Sequence, residues 1–232
     1  MPCLLLHILN GGNRLDFDFS IIIDKFPMFL PAAFETLKIT VAAILVGMAI
    51  GLVTSFMRIS KVKLLYYPAT VYITVIRGTP ILLQLFIIYY GLAGIVMLDP
   101  YPSAIIAFGV HNGAYIAEIF RGAIKSIDIG QMEAARSIGM SKVKAMYRIV
   151  LPQAFKRAVP PLGNQLIIAT KDSSLASAIT VRELLLRSQQ LGSSSFRFME
   201  YFMIAGIYYF IMTSILGYFV HKIEKKLAVS DR

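Results

Sequence analysis

The sequence predicts an all-α integral membrane protein with five transmembrane helices, its N-terminus outside and its C-terminus in the cytoplasm. Three observations predict it. Apolar residues make up 57% of the 232 and mean hydropathy is +0.68, whereas a soluble domain carries roughly 45–50% apolar residues. The apolar residues gather in runs close to the roughly 20 needed to cross a bilayer. The cations that produce a net charge of +10 avoid those runs and collect between them, as topology-setting Lys and Arg do.

The first run, about 31–57, reads PAAFETLKITVAAILVGMAIGLVTSFM, with Glu35 and Lys38 near its start. Its Gly47 and Gly51 form a GxxxG, which lets a second helix approach closely. The second, about 68–92, is interrupted at Arg77, Gly78, Thr79 and Pro80. Pro80 removes a helical N–H and kinks the chain, while Arg77 snorkels to the interface. The break is read as structural, with a gate as the alternative, and Gln84 one turn deeper is placed on the path. In the third run, about 102–120, His111 is read as a packing residue. At its inner end Glu118 and Arg121 have the i, i+3 spacing of a helix-surface ion pair.

The fourth run, about 153–169, is the least apolar: QAFKRAVPPLGNQLIIA. Lys156 and Arg157 precede Pro160, Pro161, Gly163, Asn164 and Gln165. Such a composition suits lipid poorly and predicts a broken or polar helix sheltered by protein or by an aqueous cavity. The fifth run is about 199–220. These spans define a transmembrane domain over 30–226, preceded by an external segment 1–29 and followed by a tail 227–232. Within the first segment, 10–27 reads as external chain or an interfacial helix. Fifteen Lys and Arg fall on the 58–66 loop, the 121–157 segment and the C-terminal tail, and six on the opposite side. The richer side is the cytoplasmic one.

Several chemistries are excluded. The single cysteine, Cys3, allows no internal disulfide and no thiolate metal site, and His7, His111 and His221 are too scattered for a metal cluster. The basic charge follows topology, so no nucleic acid is implied. The opening MPCLLLHILN lacks a basic leader and a small-residue cleavage site, so no signal peptide is expected. In an intramembrane enzyme Ser173 or Ser174 with His111 would serve as nucleophile and base, but no nucleophile elbow or HExxH pattern accompanies them. No catalytic residue, cofactor or metal is expected in this chain. A secondary transporter or channel for small polar solutes is the alternative. It fits the polar fourth run, yet no inverted hydropathy repeat is visible and the basic segment 126–152 would be unexplained.

Residues 133–152 of that segment read EAARSIGMSKVKAMYRIVLP. Ala134, Ala135 and Arg136 favour helix and Gly139 interrupts it. Val143, Met146, Tyr147, Ile149 and Val150 predict an amphipathic second helix, stopped by Pro152. Two short helices about a glycine elbow make a knob for a groove on a cytoplasmic partner. On periodicity alone, a basic loop held against anionic lipid fits equally well.

The spacing E-A-A-x3-G-x9-I-x-L-P, met at Glu133, Ala134, Ala135, Gly139, Ile149, Leu151 and Pro152, resembles the EAA signature of ABC-importer permease subunits. FETLKIT in the first run, RGTP with QLFIIYYGL in the second, AYIAEIFRGAI in the third and KDSSLASAIT after the fourth narrow the resemblance. They are similar to polar amino-acid permeases of histidine, glutamine, arginine or cystine uptake systems, over about 30–226. The resemblance implies a type I ABC importer permease fold in a prokaryotic inner or plasma membrane. It implies that 126–152 is a coupling segment, docking through Glu133, Ala134, Ala135, Gly139, Leu151 and Pro152 on two ATPase subunits that bind ATP and Mg. It further implies a second permease subunit, identical or paralogous, an extracytoplasmic substrate-binding protein and surrounding lipid. The absence of a Walker A pattern agrees with a separate ATPase.

A zwitterionic substrate needs both signs of charge. Lys171 and Asp172 supply them side by side at the outer end of the fourth run, and Ser173 and Ser174 add hydroxyls. Ionisable residues beside spans are functional candidates; an interfacial pair anchoring the helix end is the plainer reading. Resembling permeases line the translocation path with this region. They often carry Asn-Glu where this chain has Asn164 and Gln165. A neutral Gln165 points away from arginine, lysine and histidine and toward a neutral or bulky polar amino acid such as glutamine or cystine.

Overall fold

The computed structural model describes residues 17–229, and every regular element among them is helical. Cys3, His7 and the rest of 1–16 lie outside the described residues, as do 230–232 of the tail. A short helix α1 (Phe19–Lys25) opens on Asp18, whose carboxylate accepts the Ser20 N–H. A tight turn at Phe26–Phe29 passes directly into α2 (Leu30–Ile59). Pro31 falls in the first turn of α2, where no helical N–H partner is needed.

The core of the molecule is the crossing of α2 with α5 (Pro100–Lys125). A Cβ added at Gly51 would lie 2.7 Å from Ile116, at Gly109 2.6 Å from Val46, and at Gly113 2.9 Å from Ile50. Each glycine therefore seats a β-branched side chain of the other helix, which is how small residues bring backbones together. The paired positions rise together along both chains, so the two helices run in the same direction. The GxxxG expected at Gly47 and Gly51 is met by a second one, Gly109 and Gly113, that the sequence reading did not single out.

Between them the chain forms α3 (Lys63–Arg77) and α4 (Ile81–Phe86), the latter extended by a π turn at Ile87–Gly91. The two arms are bent by 108°. The expected second span at 68–92 is thus corrected: its first arm begins at Lys63 and takes Pro68 inside, and the break at Pro80 is a sharp corner. Proline both removes a donor and pushes the preceding residue out of the helical region. The Tyr72 hydroxyl donates to Val110 O at 2.6 Å, fastening α3 to α5.

The basic segment folds as α6 (Ile129–Ser137), α7 (Lys142–Ala145) and a π turn Met146–Val150. It continues without interruption into α8 (Leu151–Asp172). Two expectations are corrected here. Pro152 is no stop; it follows directly on the π turn Met146–Val150, where the regular helical bonding is already shifted, and the helix runs on past it. The fourth run is not broken at Pro160, Pro161 and Gly163, because neighbouring helices hold its line. Ala154 and Ala158 are buried with Ile116 and Phe120, and a Cβ at Gly163 would meet Val220 at 2.6 Å.

A 3-10 turn Ser173–Ile179 and α9 (Leu184–Ser195) lead to the long α10 (Phe198–Val229). Against the start of α10 packs the N-terminal turn, with Phe26 stacked on Tyr208 at 4.4 Å between centroids. Among the described residues, three helical stretches are long and apolar enough to cross a membrane: the run ending in α2, α5 and α10. The bent α3–α4 pair makes a fourth when counted as one span. α8, though 22 residues long, is too polar to count with them.

Candidate functional site

Gln84 closes the corner between α3 and α4. Its Nε2 reaches Ile76 O at 2.8 Å, Thr79 O at 3.1 Å and Thr79 Oγ1 at 2.8 Å. Carbonyls at the end of α3 lose their helical donors when the helix stops, and this amide replaces them. Those carbonyls fix the amide's polarity, so Gln84 Oε1 is the acceptor facing His111 Nδ1 at 3.0 Å, and that nitrogen carries the hydrogen. Gln84, expected on the path, is therefore committed to the corner, and His111 is a satisfied packing residue as expected. The Arg77 guanidinium stands 5.1 Å over the Tyr115 ring. The Glu118–Arg121 pair is present at 2.6 Å.

One residue along α5, Asn112 is fully buried and meets α8. Its Nδ2 donates to Phe108 O at 2.8 Å, and its Oδ1 accepts from Gln165 Nε2 at 2.8 Å. Gln165 is thus a buried neighbour of α5, while Asn164 beside it is exposed. The sequence reading passed over Asn112, although a polar residue in an apolar span is itself a signal.

At the far end of α8, Lys171 is exposed and Asp172 half-buried, with no salt bridge joining them among the described residues. Ser173 is fully buried and its hydroxyl donates to Thr170 O at 2.7 Å. Ser174 donates to Lys171 O at 2.8 Å. Both hydroxyls are thus turned toward the helix end.

Next to them stands a residue the sequence reading missed. Glu183 has no exposure at all, and its carboxylate accepts from Leu185 N, Leu186 N and the Tyr209 hydroxyl, each at 2.7 Å. It caps α9 and ties it to α10. The Thr36 hydroxyl of α2 takes the Leu184 N–H at 3.3 Å, so three helices meet here. Burial pushes the Glu183 carboxyl above its ordinary range, against the pull of these donors. An acidic residue directly before the run Leu184-Leu185-Leu186 is a helix-start signal that could have found it.

The segment expected to couple forms the opposite kind of site. Asp128 caps α6 through Gly130 N at 2.8 Å, and Ser141 caps α7. Gly139 lies between them at φ +87° with nothing within 4 Å of a built Cβ, so it makes the expected sharp turn. Ala135, Ala145 and Val150 are buried, whereas Glu133, Ala134 and Pro152 are exposed and Leu151 is half-buried. Val143 and Tyr147, expected on the apolar face of an amphipathic helix, instead stand outward with Ile129 and Ile138. All four are between 73% and 80% exposed. The segment is tied to α8 by Arg157, which donates to Ser126 O and to Ser126 Oγ at 3.1 Å. A cleft of about 490 Å³ bounded by Arg58, Tyr66, Lys125, Met132 and Met146 separates it from the ends of α2 and α3.

Residues 43–229 match the model of a family described as binding-protein-dependent transport system inner membrane component. The L-cystine transport system permease protein of Bacillus subtilis (strain 168) is 41% identical over 203 residues, 87% of each chain. The arginine transport system permease protein of the same organism is 36% identical over 219 residues, 94% of this chain and 100% of its own. A crystal structure of an amino acid ABC transporter with histidines is similar at a TM-score of 0.86 and 35% identity, covering 90% of this chain and 98% of that one.

Proposed function

Because the chain belongs to the binding-protein-dependent transport system inner membrane components, we propose that it is the permease subunit of an ATP-driven importer of polar amino acids. It is a multi-pass inner-membrane protein. In this reading α8 is the fifth crossing, shielded by α5 and α10, with the N-terminus outside and the C-terminus and α6–α7 elbow in the cytoplasm. The subunit carries no catalysis of its own. Two ATPase subunits bind ATP and Mg, a second permease protomer completes the path, and an external binding protein delivers the substrate.

The observation that carries this reading is the elbow. Four large apolar side chains stand out from a segment whose turn is fixed by Gly139, and the described residues leave them uncovered. Large apolar residues clustered on a rigid projection mark a protein contact. An ATPase groove closing on this knob biases the permease between inward and outward states through its differential contact with each. Glu133 meets basic groups on the ATPase.

The substrate path runs along α8, past Gln165 and Asn164 to Lys171, Asp172, Ser173 and Ser174. Lys171 answers a substrate carboxylate and Asp172 its ammonium. The neutral Gln165 favours glutamine or cystine over a cationic amino acid. That preference is tested by purified transporter in proteoliposomes: glutamine or cystine should stimulate ATP hydrolysis, and strong stimulation by arginine or lysine would end it. The coupling reading is tested by Val143→Cys, which should cross-link to a co-purified nucleotide-binding subunit. Loss of all cross-linking in a complex that still hydrolyses ATP, or labelling of residue 143 from outside, rules it out.

A further inference from the structure

We infer that Asn112 is a positioning residue that holds Gln165 as a hydrogen-bond acceptor for an N–H group of the translocated amino acid; this rests on the path reading of Gln165 above. Side-chain amides are ambiguous in isolation, since oxygen and nitrogen exchange places by a flip. Here one fixed group removes the ambiguity. Phe108 O is a backbone carbonyl and can only accept, so the atom 2.8 Å from it is Asn112 Nδ2. Asn112 Oδ1 is then the atom facing α8, and it can only accept, so Gln165 turns its Nε2 inward at 2.8 Å. The Gln165 carbonyl oxygen is left pointing elsewhere.

That oxygen takes no hydrogen bond from the described residues, while no sealed side-chain oxygen or nitrogen among them lacks a partner. It therefore reaches accessible space from a side chain otherwise buried. Asn112 is itself fully buried, and its bond to Phe108 O holds the amide in this orientation. The polarity set by one carbonyl of α5 thus passes through two amides to the surface of α8. An uncharged acceptor held in place fits an α-ammonium or an amide N–H. It rejects a group presenting only lone pairs, whose approach would leave two acceptors face to face.

The test is equilibrium binding of radiolabelled L-glutamine and L-cystine to the complete permease–ATPase complex in nanodiscs, without the binding protein. Gln165→Leu and Asn112→Ala should each weaken binding about tenfold, the size expected for one lost or misdirected hydrogen bond. Asn112→Asp should stay within about threefold, because a buried neutral acid can still donate to Phe108 O and accept from Gln165. Should Asn112→Ala not assemble, Asn112→Ser keeps the Phe108 bond but falls short of Gln165, and should weaken binding alike. Unaltered affinity in the Ala or Ser variant, with Gln165→Leu weakened, overturns the positioning role and leaves the path reading in place. Equal loss in Asn112→Asp and Asn112→Ala also overturns it. Unaltered affinity in Gln165→Leu, or no binding of either amino acid by the unsubstituted complex, overturns both.

Discussion

Glycine is used in two regions of this molecule for opposite reasons. At the α2–α5 crossing Gly51, Gly109 and Gly113 are surrounded; a Cβ on any of them would fall within 3 Å of a neighbour. At the elbow a Cβ on Gly139 would meet nothing within 4 Å among the described residues, and only its φ of +87° demands glycine. The crossing is complete within the chain, each side chain already seated. The elbow is shaped but open, and its four outward apolar residues are left uncovered by the described residues. One region stores stability and the other is the contact proposed above, so damage to them should separate cleanly in experiment.

The largest effect is expected from Gly51→Leu. Overpacking a closed interface costs about 1–3 kcal/mol or more, and here the obstacles include the Gly113 carbonyl. Little folded protein should reach the membrane, and what does should melt well below the parent in detergent; an unchanged melting temperature would break the comparison. Gly139→Glu should insert and fold with only about 1–2 kcal/mol of local strain. Uptake in proteoliposomes should nevertheless drop about tenfold or more while ATP hydrolysis persists. Full uptake by that variant would remove the elbow from the coupling route.

The buried cluster around Glu183 extends the closed side of the comparison into polar chemistry. Tyr209→Phe deletes the hydroxyl donated to Glu183 and should cost about 1–3 kcal/mol, a charge-assisted bond lost in a dry site. Thermal melting reports it directly. The smallest effect concerns pH. Since burial raises the Glu183 carboxyl above its unfolded value, the folded protein holds that proton more firmly than the unfolded chain. Its contribution is present in acid and is lost as pH rises through the raised value. Melting temperatures followed from acidic to neutral pH should show this decline, and Glu183→Gln should flatten it.

Much of this architecture was legible in the sequence because it rests on periodic, local signals. The spans appear as apolar runs, the ion pair at Glu118 and Arg121 as a spacing, and the turn at Gly139 as a glycine between helix formers. What stayed hidden depends on partners distant in sequence. Nothing local says that Gly109 and Gly113 face Gly47 and Gly51, or that Gln165 meets Asn112. Prolines misled in the other direction. Pro152, Pro160 and Pro161 read as interruptions on backbone chemistry alone, but the π turn before Pro152 and tertiary packing along α8 carry the helix through all three. Gln84 looked like a path residue because it is polar and deep; the corner at Pro80 absorbs that polarity.

The continuity of α8 has a mechanical consequence. Its 22 residues form one stiff rod of roughly 33 Å at about 1.5 Å per residue, rooted in the π turn beside the elbow and ending at Lys171 and Asp172. A tilt of about 10° at the root would sweep the tip through an arc of about 6 Å. That is the breadth of an amino acid, so under the importer reading proposed above a modest rotation beside the elbow would be enough to open or shut a passage at the helix's other end.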